Sequence, residues 1–378
     1  MKKNILILFG GASSEHEVSV MSATSVMKAI DLNRYHVIAC GITPEGLFEL
    51  YEDQAGINST GWKGFSGPRY IHDPDRRTLL FSPGSSQVFT SKHGRIEALE
   101  VDAVFPLLHG PFGEDGRLQG LLEMCGLPYV GAGVLASAVA MDKGIAKRIF
   151  AQAGILQSAH LEFRLTPYLK KSHDQPDWQS TLRLIEKELN YPVFVKPANL
   201  GSSVGISKAR NVDELNNALM LASGYDEKVL VEAAIDGREI ECAVLGSREP
   251  KAALPGEVLP SREFYDYEDK YFSGAENTKT PADLTGEETA LVQRTAVEVY
   301  RLLECQGLAR VDFFLEKSTG RLLVNEVNTM PGFTSISLYP KMWETSGVSY
   351  TELIHLLIED AFEKAGPSVS ANRTGNEA

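Results

Sequence analysis

The stretch Arg310–Leu338 reads RVDFFLEKSTGRLLVNEVNTMPGFTSISL, and the rest of the chain is organised around it. Two β-prone runs, VDFFL and RLLVNEV, flank a short break at residues 317–320, which predicts an antiparallel hairpin. Side chains alternate between the two faces of a strand. With the turn centred on Thr319, two pairs therefore face each other on one side of the hairpin: Asp312 with Glu326, and Arg310 with Asn328.

The facing carboxylates predict a metal site. Carboxylates opposed across a hairpin repel each other, and the apolar residues around this pair limit screening by water. A cation between them would remove the conflict. Three hard oxygen donors suit Mg²⁺, which commonly also carries substrate phosphates: Asp312, Glu326 and Asn328. The alternative is an ordinary solvated acidic face, which the apolar neighbours disfavour.

The segment after the hairpin is a candidate substrate site. Met330-Pro331-Gly332 interrupts the strand pattern, and the hydroxyl residues 334–337 precede a helical run. Backbone N–H groups at a helix start can hold an anion such as a carboxylate. Most hydroxyl residues at a helix start only cap the helix, but residues 334–337 directly follow a candidate metal site.

Composition limits the class of protein. The chain has 378 residues, 43% of them hydrophobic and 23% charged, which predicts a globular protein of two or three domains. A net charge of −13 argues against nucleic-acid or anionic-membrane binding. Four scattered cysteines without CxxC spacing predict buried thiols in a reducing cytoplasm. The N-terminal apolar run is too short for a signal peptide, and no run reaches membrane-spanning length.

The N-terminal third predicts an α/β lobe. A buried-type strand at residues 4–9 ends in Gly10-Gly11, a helix follows to about Ile30, and a second strand lies near His36–Gly41. This βαβ order predicts a parallel sheet covered by helices, with ligands beyond the strand ends near Glu15. A plain glycine turn before a capped helix is the alternative.

A second group of polar residues follows the strand Val101–Leu107, which leads into HGPFGEDG. A lone histidine at such a place is usually structural, but the surrounding glycines, Glu114 and Asp115 make His109 a candidate functional residue. Residues 42–95 are rich in Gly, Pro, Ser and charge. They predict a hairpin-bearing insertion with short strands such as Thr78–Phe81.

Residues 137–153 predict one amphipathic helix that carries Lys143 and Lys147 a turn apart. Lysines on a helix usually face solvent, so neither is significant alone. A helix is also expected over Arg117–Cys125, and another over Gly286–Gln306.

Residues 191–205 predict a phosphate-binding element. A strand carries Lys196 near its end and leads into a loop with Gly201, Ser202 and Ser203, whose N–H and hydroxyl groups can surround a phosphate. The loop is not a Walker motif, because GxxxxGK[ST] is absent. The next strand, residues 229–235, could bind an adenine edge through its backbone, with an acidic residue for the ribose. A plain core hairpin is the alternative.

Residues 261–281 combine polar and aromatic residues without a helical or strand period. Four aromatics argue against disorder, so we interpret the segment as a lid that carries Lys270 and Tyr271. The tail from Gly366 is expected to be disordered.

Taken together, these segments resemble the D-alanine–D-alanine ligases of the ATP-grasp superfamily. Eight motifs occur in family order: GGASSEHEVS, HGPFGEDGRLQG, MDKGIAK, VKPANLGSSVG, VEAAIDGRE, REFYDYEDKY, RVDFF and NEVNTMPGFTSISL. The resemblance implies an α/β fold of three lobes. They are an N-terminal parallel α/β lobe (1–136, with insertion 42–95), a central lobe (137–240), a C-terminal lobe with the metal hairpin and lid (241–365), and a tail (366–378).

The resemblance also implies roles for individual residues. ATP would lie between the central and C-terminal lobes, against Lys143, Lys196, Gly201, Ser202, Ser203, Glu232, Ala233, Ile235, Glu239 and Lys270. Two Mg²⁺ ions, or Mn²⁺ in their place, would lie at Asp312, Glu326 and Asn328. The two D-alanines would bind at Glu15, His109, Ser337 and Leu338. The catalytic residues would be Glu15, Ser202, Tyr271, Arg310 and the backbone of Gly332.

In this reading the enzyme joins two D-alanines through an acyl phosphate, in the cytoplasmic stage of bacterial cell-wall (peptidoglycan) synthesis, and forms a homodimer. Two alternatives stay open. One is a ligase with another acceptor, such as D-lactate or D-serine; the Tyr271-bearing lid favours an amine acceptor over D-lactate. The other is a nucleotide-binding protein without ligase activity. The absence of GxGxxG and the complete metal trio argue against it.

Overall fold

The computed structural model describes residues 2–51, 77–165, 176–259 and 277–366. The helices in these ranges are α1 (His16–Ala29), α2 (Arg117–Met124), α3 (Val134–Met141), α4 (Lys143–Gln152), α5 (Pro176–Glu188), α6 (Val212–Tyr225), α7 (Gly286–Leu302), α8 (Leu338–Thr345) and α9 (Tyr350–Ala365). Lys270, Tyr271, most of the predicted lid and nearly all of the predicted disordered tail lie outside the described residues. Within the four ranges, no helix combines the length and hydrophobicity that a membrane crossing requires.

The first sheet has seven strands in the order β6-β5-β4-β3-β2-β1-β7. Their bounds are β1 (Lys3–Gly10), β2 (Tyr35–Ile42), β3 (Phe48–Tyr51), β4 (Thr78–Phe81), β5 (Val88–Lys92), β6 (Arg95–Leu99) and β7 (Ala103–Leu107). The parallel sheet predicted for this lobe is correct only for β2, β1 and β7. The other strands pair antiparallel, because residues between β2 and β7 return through short connections and extend the sheet. The strand predicted at Thr78–Phe81 is confirmed.

Strand β1 is buried on both faces, as expected for a central strand of a parallel sheet. Ile5, Ile7 and Phe9 join a core cluster that includes residues of α1 and of the C-terminal helix α9. Leu6 and Leu8 pack into a second cluster with residues of α2. The last helix of the described residues, α9, therefore packs against the first sheet.

The central sheet is antiparallel, in the order β10-β9-β11-β8. Its strands are β8 (His160–Arg164), β9 (Val193–Pro197), β10 (Ser207–Ala209) and β11 (Lys228–Ala233). The single helix predicted over residues 137–153 is wrong. The structure has two helices, α3 and α4, because Asp142 adopts an extended conformation and caps α4 by accepting a hydrogen bond from the N–H of Ile145.

The third sheet has the order β15-β14-β12-β16-β17, with β13 paired to β12. Its strands are β12 (Gly237–Leu245), β13 (Lys251–Ala252), β14 (Gly256–Val258), β15 (Thr278–Lys279), β16 (Leu308–Glu316) and β17 (Leu322–Asn328). Although β11 and β12 are adjacent in sequence, they lie in different sheets. The chain thus passes from the central sheet to the third sheet between Ala233 and Gly237.

The hairpin of β16 and β17 has the predicted pairs, Asp312 opposite Glu326 and Arg310 opposite Asn328. The register nearer the turn differs by one residue, because Phe313 pairs with Val324. Asn325 is the extra residue of a β-bulge. Because the bulge shifts the register by one residue, the pairs farther from the turn are again the predicted ones. Both Asn325 and Glu326 line the cavity described below.

Candidate active site

Two neighbouring cavities are lined by all the described candidate residues except Asp312. The first, which we call the inner cavity, has a volume of about 130 Å³ and lies among the loops after β1, β7 and β17. Its lining includes seven of the residues predicted for substrate binding or catalysis: Glu15, His109, Ser202, Arg310, Gly332, Ser337 and Leu338.

Glu15 is a buried carboxylate at the start of α1. The hydroxyl of Ser202, from the predicted phosphate loop, donates a hydrogen bond to Glu15 Oε1. Backbone approaches closely on the other side, since a Cβ atom on Gly110 would lie 2.5 Å from Glu15 Oε2. The Ser202–Glu15 link expected from the resemblance is therefore present, while its third member, Tyr271, lies outside the described residues.

His109 connects three segments that are distant in sequence. Its Nδ1 donates to the carbonyl of Met330 at 2.8 Å, and its Nε2 lies 3.0 Å from the hydroxyl of Ser22 on α1. Burial lowers the pKa of His109, which favours the neutral ring. Because Nδ1 donates to the carbonyl, Nε2 of a neutral ring is the acceptor for the hydroxyl of Ser22. Both ring nitrogens thus have protein partners, which favours a role in positioning the loop at Met330.

Glu114 is a buried site residue that our sequence analysis noted only as context for His109. Its Oε2 accepts from the N–H of Gly110 and its Oε1 from the N–H of Met330, both at 2.8 Å. Burial, reinforced by the negative charge of Glu15, raises the pKa of Glu114 to about 8. Met330 is therefore held through both backbone groups, by His109 and by Glu114.

Arg310 and the acidic residues of the hairpin form a dense charge cluster. The guanidinium donates two hydrogen bonds of 2.7 Å to Asp312 and lies 2.9 Å from Glu241 of β12. Despite burial, these carboxylates raise the pKa of Arg310 well above its ordinary value. The amide of Asn328 donates to Asp312 at 2.9 Å.

The donor set at Asp312, Glu326 and Asn328 fits a hard divalent cation, since two carboxylates and a carboxamide share one face of the hairpin. Protein cations also balance these charges: Arg310 pairs with Asp312, and Lys143 lies 3.3 Å from Glu326. Across the described ranges, no three acidic, histidine or cysteine side chains form a metal-ligand group. The carboxamide of Asn328 would thus be the third ligand.

The second cavity, which we call the outer cavity, has a volume of about 260 Å³ and lies between the central and third sheets. It is lined by every described residue predicted to bind ATP: Lys143, Lys196, Gly201, Ser202, Ser203, Glu232, Ala233, Ile235 and Glu239. Other lining residues were not predicted; among them are Phe194, Phe314, Lys208 and Asn325. The aromatic ones resemble ordinary core residues in sequence, and Asn325 depends on the bulge.

The loop after β9 has the conformation that a phosphate-binding loop needs. Ser202, Ser203 and Gly205 have positive φ angles of 51°, 58° and 73°. Such left-handed residues turn successive N–H groups toward one side of the loop, where they can bind an anion. The ammonium group of Lys143 donates to the carbonyl of Leu200 at 2.8 Å and so lies beside this loop.

Lys143 and Lys147 are both buried, although lysines on a helix usually face solvent. Lys147 Nζ lies 3.2 Å from Glu232 Oε1, and Lys196 Nζ lies 2.8 Å from Glu232 Oε2. Although burial alone would raise the pKa of Glu232, the two ammonium groups lower it overall. Helical periodicity could not reveal this, because the partner carboxylate belongs to a strand 85 residues further along the chain than Lys147.

The start of α8 forms another wall of the inner cavity. Ser337 is the N-cap residue, and its hydroxyl accepts from the N–H of Thr334 at 3.1 Å. The first N–H groups of a helix, here from Leu338 onward, have no partner within the helix and carry partial positive charge. This end of α8 can therefore bind a carboxylate.

Ser202 and Glu326 line both cavities. The loop at Gly201–Ser203 and two lysines thus adjoin a small cavity that has an acidic residue, an arginine and a helix N-terminus. The sheets on either side of the outer cavity have the ATP-grasp arrangement, which defines the class as an ATP-grasp ligase.

Comparison with known proteins identifies the family. The model for the D-Ala–D-Ala ligase N-terminus matches residues 4–132, and the model for the C-terminus of the same ligase matches residues 149–359. The chain belongs to the D-alanine–D-alanine ligase family.

Individual relatives agree over nearly their whole length. A D-alanine–D-alanine ligase of Acetivibrio thermocellus is 48% identical, and one of Solibacter usitatus is 47% identical, each over 96% of this chain and at least 96% of the relative. A solved D-alanine–D-alanine ligase of Coxiella burnetii has a TM-score of 0.82 and 35% identity, covering 98% of this chain and 97% of that chain. The VanG D-Ala:D-Ser ligase of Enterococcus faecalis has a TM-score of 0.81 and 36% identity, covering 96% of this chain and 100% of that chain.

Proposed function

We propose that the protein joins two D-alanine molecules to D-alanyl-D-alanine and converts ATP to ADP and phosphate. The observation that carries this proposal is the shared wall between the two cavities, at Ser202 and Glu326. A nucleotide in the outer cavity with its phosphates at the Gly201–Ser203 loop would bring its γ-phosphate to the opening of the inner cavity. Family membership supports the same reaction.

In the first step, the inner cavity would bind one D-alanine through its ammonium group at Glu15. A buried carboxylate gains a great deal from a cationic partner, which makes Glu15 the natural anchor. The substrate carboxylate then attacks the γ-phosphorus, the bond to the β-phosphate oxygen breaks, and ADP leaves. The product is an acyl phosphate, whose phosphate is a good leaving group.

In the second step, the amine of the other D-alanine attacks the acyl carbon, loses a proton and displaces phosphate. The tetrahedral intermediate carries a negative oxygen, which Arg310 and the N–H of Gly332 would stabilise. The carboxylate of this second D-alanine would bind at Ser337 and the N–H of Leu338. Contacts with Asp312 and Glu241 hold the Arg310 guanidinium for this role through Nε and Nη2.

Lysines and divalent cations would neutralise the negative charge of the ATP phosphates. Lys143 and Lys196 border the outer cavity, and the resemblance adds Lys270. Asp312, Glu326 and Asn328 would hold Mg²⁺, two ions by the resemblance, with Mn²⁺ as a substitute. The metal would neutralise negative charge on the transferring phosphoryl group.

Several further features belong to this proposal. Ser202 and Glu15, linked by a hydrogen bond, would join Tyr271 to close the lid and protect the acyl phosphate from water. The product would serve bacterial cell-wall synthesis. Four buried free cysteines support a reducing cytoplasm as its location. A homodimer stays a prediction from the resemblance.

The deciding experiment is phosphate release from ATP with D-alanine, L-alanine, D-serine and D-lactate, offered singly and in pairs, with product identification by chromatography. We expect release with D-alanine alone, together with formation of the dipeptide. Release only when D-serine or D-lactate accompanies D-alanine would reassign the acceptor. A lack of release with every pair would contradict the proposal.

A further inference from the structure

The N–H of Gly332 is available to a ligand, whereas its neighbours in the loop are not. The N–H of Met330 donates to a buried carboxylate, and Pro331 has no N–H. The N–H of Phe333 donates to the hydroxyl of Ser22 at 3.3 Å. Within the part of the chain that the structure describes, the N–H of Gly332 has no acceptor, and this residue lines the inner cavity. The direction of this N–H therefore decides whether it reaches an oxyanion there.

Hydrogen bonds hold the peptide groups on both sides of that donor. The carbonyl of Met330, in the preceding peptide group, accepts from His109 at 2.8 Å, and the proline that follows has a fixed φ. The N–H of Phe333, in the following peptide group, donates to Ser22. Glycine has wide conformational freedom. The peptide group that carries the donor therefore keeps one orientation only while both of its neighbours are held.

Ser22 contributes to both of these contacts. It is buried on α1, accepts from Phe333, and donates to Nε2 of His109 at 3.0 Å. It thereby supports the ring whose other nitrogen holds Met330. Ser22 lines neither cavity, so it can act on a bound substrate only through these partners. Glu15, the proposed ammonium anchor, lies seven positions earlier, roughly two helical turns away on the same side of α1.

A purely structural role is the alternative, because any buried hydroxyl needs hydrogen-bond partners. The ring of Phe333 is already held by aromatic neighbours, with centroid distances of 5.8 Å to Phe105, 5.8 Å to Tyr339 and 5.6 Å to Tyr350. The hydrogen bond from Ser22 is thus not needed to anchor this side chain. What it adds is the orientation of the peptide group next to the available donor.

We propose that Ser22 is a positioning residue for the second chemical step, in which it aims the N–H of Gly332 at the oxyanion of the tetrahedral intermediate. The inference rests on the proposed function and deepens it. The acyl oxygen gains its negative charge when the amine adds to the acyl carbon, and it becomes a carbonyl again when phosphate leaves. Phosphoryl transfer in the first step depends instead on the lysines and the loop at the outer cavity. Loss of Ser22 should therefore slow the second step selectively.

The test separates the two steps in Ser22→Ala. In a single turnover with enzyme in excess over ATP, ADP reports phosphoryl transfer and D-alanyl-D-alanine reports acyl transfer. We expect ADP to form at close to the wild-type rate, while dipeptide formation falls roughly ten- to a hundredfold, less than the loss of a whole oxyanion donor can cost. Hydroxylamine should trap the accumulated acyl phosphate as the hydroxamate of D-alanine. In the steady state, kcat should fall and KM for ATP should not rise.

Ser19→Ala is the matched control. Ser19 is likewise buried on α1, and its hydroxyl accepts from the N–H of Gly10 at 2.7 Å and donates to the carbonyl of Leu107. That variant loses the same kind of contacts and should lose stability, but its dipeptide should not lag behind ADP more than in the wild type. Equal slowing of both products in Ser22→Ala, or no slowing of either, would overturn the inference. An equally large lag in Ser19→Ala would assign the effect to helix packing and would also overturn it.

Ser22→Cys keeps the test decisive if Ser22→Ala does not fold, because a thiol is similar in shape and forms only weak hydrogen bonds. Circular dichroism checks the fold of each variant. We expect a smaller lag of dipeptide behind ADP in Ser22→Cys. If this variant folds and shows no lag, the inference is wrong. A wild-type enzyme that forms no ADP with D-alanine would instead contradict the proposed function.

Discussion

The Asp312 carboxylate is both a hydrogen-bond acceptor for neighbouring side chains and a predicted metal ligand. It accepts two hydrogen bonds from Arg310 and one from Asn328, and it faces Glu326 across the hairpin. The repulsion between the facing carboxylates was the reason to predict a metal. In the structure, Arg310 and Lys143 already balance the pair. A metal bound here would therefore join an existing charge network.

At this scale we expect Asp312→Asn to lower turnover more than about a hundredfold, because a neutral carboxamide holds Mg²⁺ more weakly than a carboxylate and no longer balances the charge of Arg310. Circular dichroism should show an unchanged fold. Turnover measured over a Mg²⁺ titration should require a higher metal concentration than the wild type. Glu316→Gln, an acid at the far end of the same strand, is the control and should behave like the wild type. Near-normal turnover of Asp312→Asn at ordinary Mg²⁺ concentrations would contradict the assignment of Asp312 as a metal ligand.

At the scale of elements, the break between α3 and α4 positions Lys143. Asp142 accepts from the N–H of Ile145 at 3.0 Å and from the buried Lys228 at 2.5 Å. Lys143 is the first residue of α4, and its own N–H donates to the carbonyl of Ala198. The start of α4 is thus tied to the strand end that precedes the phosphate-binding loop.

We expect Asp142→Ala to destabilise the fold by about 1 kcal/mol through the lost helix cap, and by a further few kcal/mol because the buried Lys228 keeps only the more distant Glu162, at 3.6 Å. Asp142→Asn keeps the cap and loses only the charge, so it separates the two contributions. Urea denaturation of both variants measures them. If Asn and Ala destabilise equally, the cap contributes nothing; a harmless Asn variant would mean that the ion pair is unimportant.

At the scale of the whole molecule, the inner cavity exists because the first and last parts of the chain meet. Met330 is held by His109 and Glu114, and the N–H of Phe333 donates to Ser22 on α1 at 3.3 Å. Helix α9 packs in the same core cluster as β1. These contacts position the loop that contains Gly332 against the loop after β7 and against helix α1, which begins directly after Glu15.

Glu114 makes this contact dependent on pH. Its pKa of about 8 in the fold exceeds the ordinary value of a glutamic acid, so between those values the folded protein keeps a proton that the unfolded chain releases. Stability must therefore fall as pH rises through this range. We expect the stability advantage of the wild type over Glu114→Gln to shrink between pH 6 and pH 8.5, by up to about 1.4 kcal/mol per pH unit.

Urea denaturation of both proteins at several pH values measures this difference, in which the contributions of other titrating groups largely cancel. Glu17→Gln, which alters an exposed carboxylate on α1, should give a difference that does not depend on pH. A pH-independent difference for Glu114→Gln as well would show that Glu114 stays ionised in the fold. Gln offers only one acceptor oxygen, so the variant should also be less stable at pH 6.

Much of the site was predictable from sequence because its residues lie on regular local elements. Strand alternation and a short turn predicted that Asp312 faces Glu326, and the glycine–serine loop after Lys196 predicted a concave backbone. The hairpin prediction succeeded even though its turn lies half a residue earlier than assumed. The bulge at Asn325 compensates for the difference, and no periodicity predicts a bulge.

Other features depended on which distant segments pack together. Lysines on an amphipathic helix normally face solvent, yet Lys147 is buried because strand β11 brings Glu232 to that helix face. Glu114 accepts a hydrogen bond from Met330, which lies 216 positions away in sequence. The packing that brings these segments together also buries Glu114, and burial raises the pKa of Glu114. Sequence by itself determined the local conformations and the kinds of chemistry available. The tertiary structure alone decided which charges meet and which lose water, because burial and pairing are properties of the packed chain as a whole.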